Sequence, residues 1–315
     1  MKRISNDRGQ AAVITVLFLA TLLGAVAMVL DVGSWFREQR DTQSDADAAA
    51  LAAAQALPEK VGEATVLASQ YLDKNVAGAG RQVTFTKFFT ENDTVTVKVD
   101  RDAPGTFSKL FGIDSVNVLA SATARAGGMQ SAKWVAPIVV NIEHPDLNCS
   151  VANGKPVPCF GKPTQLDLDN LHKPGSSDAA GAFSLINLEA GNTGNVGAST
   201  LGEWIVRGYD QYMELGNYNS APSANWNDSH VQGAMADRLS GDPVLLFPIY
   251  DRLIGSGSTA EYHVVGWVAF HVTAYQASGS SGKVNGSFEK VIWEGIQSQS
   301  GNNSNFGTTT IELVE

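Results

Sequence analysis

Residues 11–30 carry no charge, and only Thr15 and Thr21 interrupt a run that is otherwise apolar or small. A helix rising about 1.5 Å per residue needs roughly 20 such residues to cross the hydrocarbon of a bilayer, so the run predicts a membrane-spanning helix. Lys2, Arg3 and Arg8 precede it and Asp31 follows at once. That asymmetry predicts a single-pass protein of the cytoplasmic membrane, with a cytoplasmic head over residues 1–10 and the bulk of the chain extracytoplasmic. Helical spacing continues beyond the run, because Val32, Trp35, Phe36, Gln39, Gln43, Ala46, Ala50, Ala53 and Leu57 recur at three- and four-residue steps until Pro58 supplies a stop. One helix over 11–57, about 70 Å long, is the economical reading. A secretory signal peptide cut after Ala25-Val26-Ala27 competes for the same residues. Against it, apolar character persists through Met28, Val29 and Leu30 and outlasts the roughly 7 to 15 residues of a signal core.

Past the run, the sequence QRDTQSDADAAALAAAQAL is dominated by alanine. Alanine favours helix strongly and offers little side chain to bury, so a face built on Ala46, Ala50, Ala53 and Leu57 suits close helix packing rather than a thick core. The partner of that face is a second copy, a pilin-like subunit, or the chain's own domain; the pattern leaves all three open.

After Pro58, one face of residues 59–76 carries Val61, Ala64, Leu67, Ala68, Tyr71 and Leu72, which predicts a second helix. Val83, Phe85, Lys87 and Phe89, then Val95, Val97 and Val99, alternate about Glu91-Asn92-Asp93 and predict an antiparallel hairpin. Pro104 interrupts, residues 106–111 read as a turn of helix, and Val116, Val118, Ala120, Ala122 and Ala124 form a third alternating strand. Long helix, short helix and small antiparallel sheet make a pilin-like module over residues 31–127.

Gly127-Gly128 and the polar residues after them predict a linker over 128–132, and a β-rich domain is expected over 133–315. Its expected parts are a buried strand at 136–142, short helices at about 200–207 and 229–239 opened by capping boxes at Thr200 and Ser229, and a strand at 244–250 bearing Pro248. A long strand, YHVVGWVAFHVTAY, and a last one at 288–293 complete it. The fold class is therefore α+β. Trp204, Tyr209, Tyr212, Tyr218 and Trp226 fall close together in sequence and form either a binding surface or part of this domain's core.

The formal charge of −10, with a basic head, leaves the extracytoplasmic part acidic and a poor match for nucleic acid. Cys149 and Cys159, the only cysteines, sit ten residues apart in a Gly/Pro-containing loop and read as a disulfide in an oxidising compartment. No metal-ligand spacing, P-loop, nucleophile elbow or paired catalytic carboxylate occurs, so no catalytic residue, cofactor or metal site is expected. His263 and His271 lie about 27 Å apart along a strand, and Asp167 with Asp169 reads as a solvated strand edge.

The run RGQAAVITVLFLATLLGAVAMVLDVGSWFREQRDTQSDADAAALAAAQAL resembles the amino-terminal region of TadE/TadG-like proteins of the Flp (Tad) pilus assembly system. The likeness rests on Arg8, Gly9, Asp31, Gly33, Gln43, Ala46, Asp47, Ala48, Ala49, Ala50, Leu51, Ala52 and Ala53, and more loosely on GTFSKLFGIDSVNVLASATA. The resemblance implies an anchored structural or accessory protein, not an enzyme, whose partners are the lipid bilayer and other pilus assembly proteins or pilin-like subunits. It also makes Gly9 and Gln10 a candidate prepilin-type processing junction. One departure bears on polymerisation: with Gln10 as first residue, the fifth is Ile14 where processed subunits carry glutamate. The alternative reading is an anchored or secreted adhesin-like module of the cell envelope, unrelated to pili.

Overall fold

The computed structural model describes residues 7–75, 80–152, 155–167, 183–189, 196–221, 226–255, 260–278, 281–299 and 306–314. The chain forms two compact units, residues 1–125 with 313–315, and residues 126–312.

In the first unit α1 (Asp7–Ala54) is one continuous helix of 48 residues. It carries the apolar run into the alanine segment without a break and ends three residues short of the expected 57, where the chain turns through 55–59. The short α2 (Val61–Asn75) follows, and then β1 (Gly80–Thr86), β2 (Thr94–Pro104) and β3 (Ser115–Gly127) pair antiparallel with β2 in the middle. Pro104 closes β2 opposite Ser115, beyond the stretch that β1 covers, so its missing N–H removes no ladder bond to β1. Between β2 and β3, residues 108–111 form a single 3-10 turn. Val95, Val97 and Val99 of β2 are buried while Lys98 and Asp100 are exposed, and α1 packs against both α2 and β2. The period-2 alternation thus aims one face of the sheet at the helix pair.

The second unit contains, in chain order, β4 (Met129–Ala132), β5 (Ile138–Asn141), β6 (Ser150–Ala152), β7 (Lys155–Val157), β8 (Thr164–Asp167), β9 (Phe183–Leu185), α3 (Ala198–Arg207), β10 (Met213–Glu214) and β11 (Gly216–Asn219). Then come α4 (Ser229–Ser240), β12 (Val244–Ile254), β13 (Glu261–Ser278), β14 (Ser281–Glu289), β15 (Val291–Ile292), β16 (Gly295–Gln297) and β17 (Thr308–Val314). Its main sheet has the order β8-β14-β13-β12-β5-β9, with β11 also on β13; only the β12–β5 pairing is parallel. Pro248 sits in a central strand, and β5 pairs with Ile249 and Tyr250 just after it, so the ladder steps around the absent donor. Phe247 and Phe270 stack with ring centroids 5.6 Å apart, and Phe288 meets Phe270 edge-on at 5.1 Å, at the centre of the core.

Three expectations are corrected here. Residues 128–132 are not a linker: Met129–Ala132 is the strand β4 between β10 and β16, with Met129, Ser131 and Ala132 buried. Its partners lie far along the chain, so its polar composition carried no local sign of pairing. Thr200 does not cap α3, which begins at Ala198 behind Gly197 and has no side-chain cap. Ser229 does not cap α4 either; Asp228 does, its carboxylate accepting the His230 N–H.

Candidate functional site

The features that bear on function lie along α1. Its first half is uncovered by any described part of the protein, with Phe18 66% and Leu17 63% exposed. By length and composition it is the one helix among the described residues able to cross a membrane. The two polar side chains of the run are satisfied within the helix, Thr15 Oγ1 donating to the Ala11 carbonyl and Thr21 Oγ1 to that of Leu17, each at 2.9 Å. Such back-bonding is what a lipid-embedded hydroxyl requires, because hydrocarbon supplies no partner.

The end of the run is marked by a buried anion. Asp31 is 2% exposed. Its carboxylate accepts the backbone N–H groups of Thr106 (3.1 and 3.2 Å), Phe107 (2.9 Å) and Ser108 (2.6 Å). Three successive N–H groups around one carboxylate make a small anion-binding concavity that fixes the β2–β3 connection to the helix. The loop closes on itself through Gly105 N–H to the Asp114 carbonyl at 2.8 Å and Ser108 Oγ to the Ile113 carbonyl at 3.0 Å. Gly112, at φ +81°, supplies the left-handed residue that ends its 3-10 turn.

Further along, polar rungs tie α1 to the sheet. Gln39 Nε2 donates to the Leu119 carbonyl at 2.7 Å and Gln43 Nε2 to that of Ser121 at 3.0 Å. Four helical residues advance about 6 Å and two strand residues about 6.6 Å, so glutamines one turn apart meet alternate carbonyls of β3. Arg101 pairs with Glu38 and, at 3.1 Å, with Asp45. Burial holds the Asp45 carboxyl above its ordinary value; Arg101 opposes this, and Asp41 and Glu38 reinforce it.

The alanine face follows. Ala46, Ala50, Ala53 and Leu57 are all buried, as are Ala49, Ala52 and Ala54. Ala64, Ala68 and Leu72 of α2 are buried too, and α1 packs on α2. The chain itself therefore occupies this face. Gly9 and Gln10 lie in the first turns of the same helix and are exposed; residues 1–6 of the expected cytoplasmic head lie outside the described residues.

In the second unit Cys149 and Cys159 are disulfide-bonded, with Cα atoms 5.2 Å apart. The bridge is held by Asp146, whose carboxylate accepts from Lys162 at 2.6 Å and Thr164 at 3.0 Å and whose carbonyl accepts the Cys159 N–H at 2.8 Å. Burial pushes the Asp146 carboxyl up, but Lys162 and Thr164 outweigh it, so it titrates below its ordinary value. Burial likewise lowers His144, whose Nδ1 accepts the Asp146 N–H. Asp167 is corrected from solvated to buried, its charge met by Lys283 at 2.7 Å; Asp169 lies outside the described residues. The aromatic set does not form a surface, since Trp204, Tyr218 and Trp226 are buried and only Tyr212 is exposed. Rings of this size bury most usefully in the core of a small sheet domain, and sequence clustering alone does not distinguish that from display. His263 lies 2.7 Å from Asp251. No group of three His, Cys, Asp or Glu able to hold a metal occurs among the described residues.

An apolar helix thus continues as the spine of a small α+β unit. Residues 9–56 match the family model described as putative Flp pilus-assembly TadE/G-like, and residues 33–124 match that described as putative Tad-like Flp pilus-assembly. Together the matches span residues 9–124, and over that part the chain is similar to Tad proteins of Flp pilus assembly. Neither match extends past residue 124, and no curated protein or solved structure matches significantly. Sequence reasoning missed the capture of the 106–108 backbone by Asp31; the only signal was one carboxylate set directly after the apolar run.

Proposed function

We propose that this protein is an anchored accessory component of the Flp pilus assembly machinery. The first half of α1 holds it in the cytoplasmic membrane with the amino terminus inside, and the rest of the chain lies outside and acts by protein–protein contact. The supporting observation is the division of labour along α1: residues 11–30 are left bare, whereas the alanine face is filled by the chain's own α2 and sheet. Packing against other subunits therefore falls to the bare segment and to the exteriors of the two units. Ile14, standing where a processed subunit carries glutamate, supports an accessory rather than a fibre-forming role.

The test is a strain lacking the protein, complemented with the wild-type chain or with Leu22→Arg/Leu23→Arg. Electron microscopy should show no surface fibres in the deletion, fibres with the wild type and none with the charged variant. Normal piliation in the deletion, with adherence lost, would instead establish the adhesin-like reading.

A further inference from the structure

The connection between β2 and β3 presents apolar side chains to solvent that no described part of the protein covers: Leu110 is 82% exposed, Phe111 73%, and Phe107 and Ile113 are exposed as well. Exposed singly, such residues are unremarkable; four within seven positions on a loop that is internally hydrogen-bonded form a patch that calls for an occupant. Its position identifies one. The loop backbone is held within 3.2 Å of the Asp31 carboxylate, and Asp31 is the first residue after the apolar run. Side chains on an α-helix tilt toward its amino terminus, so this carboxylate reaches back toward Val29 and Leu30 and draws the loop with it. Trp35 stands about one helical turn, roughly 6 Å, beyond Asp31 on α1, and tryptophan gathers where hydrocarbon meets water. Exposed Lys109 lies within the patch and can extend its ammonium to headgroup phosphates while its stem stays in the apolar layer.

Given that α1 spans the membrane as proposed above, we infer that loop 106–113 is a second membrane contact. Phe107, Leu110, Phe111 and Ile113 insert shallowly into the leaflet at the Asp31 end of α1, and the occupant of the patch is lipid. Asp31 is the positioning residue: its buried carboxylate, solvated by three N–H donors, sets the loop's depth without leaving the charge unpartnered at the interface. One helix alone leaves a body free to rotate about its axis; a foothold beside it fixes which face of the first unit turns to its neighbours.

The experiment uses the full chain with its disulfide intact, which leaves no native free thiol to compete for label. Leu110→Cys, Phe18→Cys and Val66→Cys, each at an exposed position, are labelled with a polarity-sensitive thiol fluorophore and reconstituted in phosphatidylethanolamine/phosphatidylglycerol vesicles. Quenching by lipids carrying shallow or deep nitroxides is compared with quenching by iodide on both sides. The label at 110 should be blue-shifted, quenched by the shallow nitroxide and insensitive to iodide; that at 18 should answer to the deep nitroxide and that at 66 to iodide alone. Iodide quenching at 110 equal to that at 66, with 18 still deep, would overturn the lipid contact and leave the anchor standing. Shielding of 110 from both quenchers would place protein on the patch and overturn it equally. Loss of deep quenching at 18 would refute the anchor itself, and the loop inference with it.

Discussion

Asp31 and Asp146 show how one carboxylate can organise a loop, and each does so by a different balance. Asp31 is met chiefly by backbone N–H groups, with the Ser108 side chain adding to them, so its loop is fixed largely by backbone geometry. Asp146 depends on side chains: Lys162 and Thr164 offset the cost of its burial and keep it ionised beside the disulfide. Because its folded-state pKa lies below the ordinary 3.8, its contribution is present above that value and is lost as pH falls through the folded-state value. Lys162 is largely exposed, so the pair is worth up to about 1 kcal/mol. In Lys162→Met burial faces less opposition, and the Asp146 carboxyl resonance should titrate at higher pH than in the wild type when followed by carbon-detected NMR. An unchanged midpoint would mean that Thr164 and His144 suffice without Lys162.

At the level of elements, α1 works as three consecutive segments: bare and apolar, then rung-bearing, then alanine-packed. The last is the least tolerant of volume. Ala50 is fully buried where α1 packs on its own unit, and small side chains there set how closely the helices approach. Ala50→Leu should overpack the contact and lower stability by about 1–3 kcal/mol, read as a reduced urea midpoint in detergent. Ser44→Leu, at an exposed position of the same helix, should leave the midpoint nearly unchanged. Equal midpoints for Ala50→Leu and wild type would show that the face is loosely packed. The alternation of β1, β2 and β3 and the helical period of α2 were legible because each pattern is local. The reading of 128–132 as linker failed because β4 owes its existence to β16 and β10, which no window around Met129 contains.

For the whole molecule the decisive question is whether α1 survives in the mature protein. A cut after Ala27 would divide a helix that runs unbroken from Asp7 to Ala54, separating its apolar part from its alanine-rich part. Intact-mass measurement of the protein extracted from membranes should therefore find a chain that retains residues before Met28, whether it starts ahead of Gln10 or at it. A freely soluble chain starting at Met28 would reverse the assignment to the membrane.

By itself the sequence determined the long apolar helix, the α+β class, the strands of the first unit, the cysteine pair and the Tad resemblance. Each of these is written in local period, charge order or spacing, which act through neighbours along the chain. Tertiary structure alone decided that the alanine face is filled from within, that the clustered aromatics line a core, that β4 is a strand, and that Asp31 holds a loop some 75 residues away. Those outcomes depend on which distant groups arrive beside a residue, and burial and hydrogen bonding act on that arrival whatever the separation in sequence.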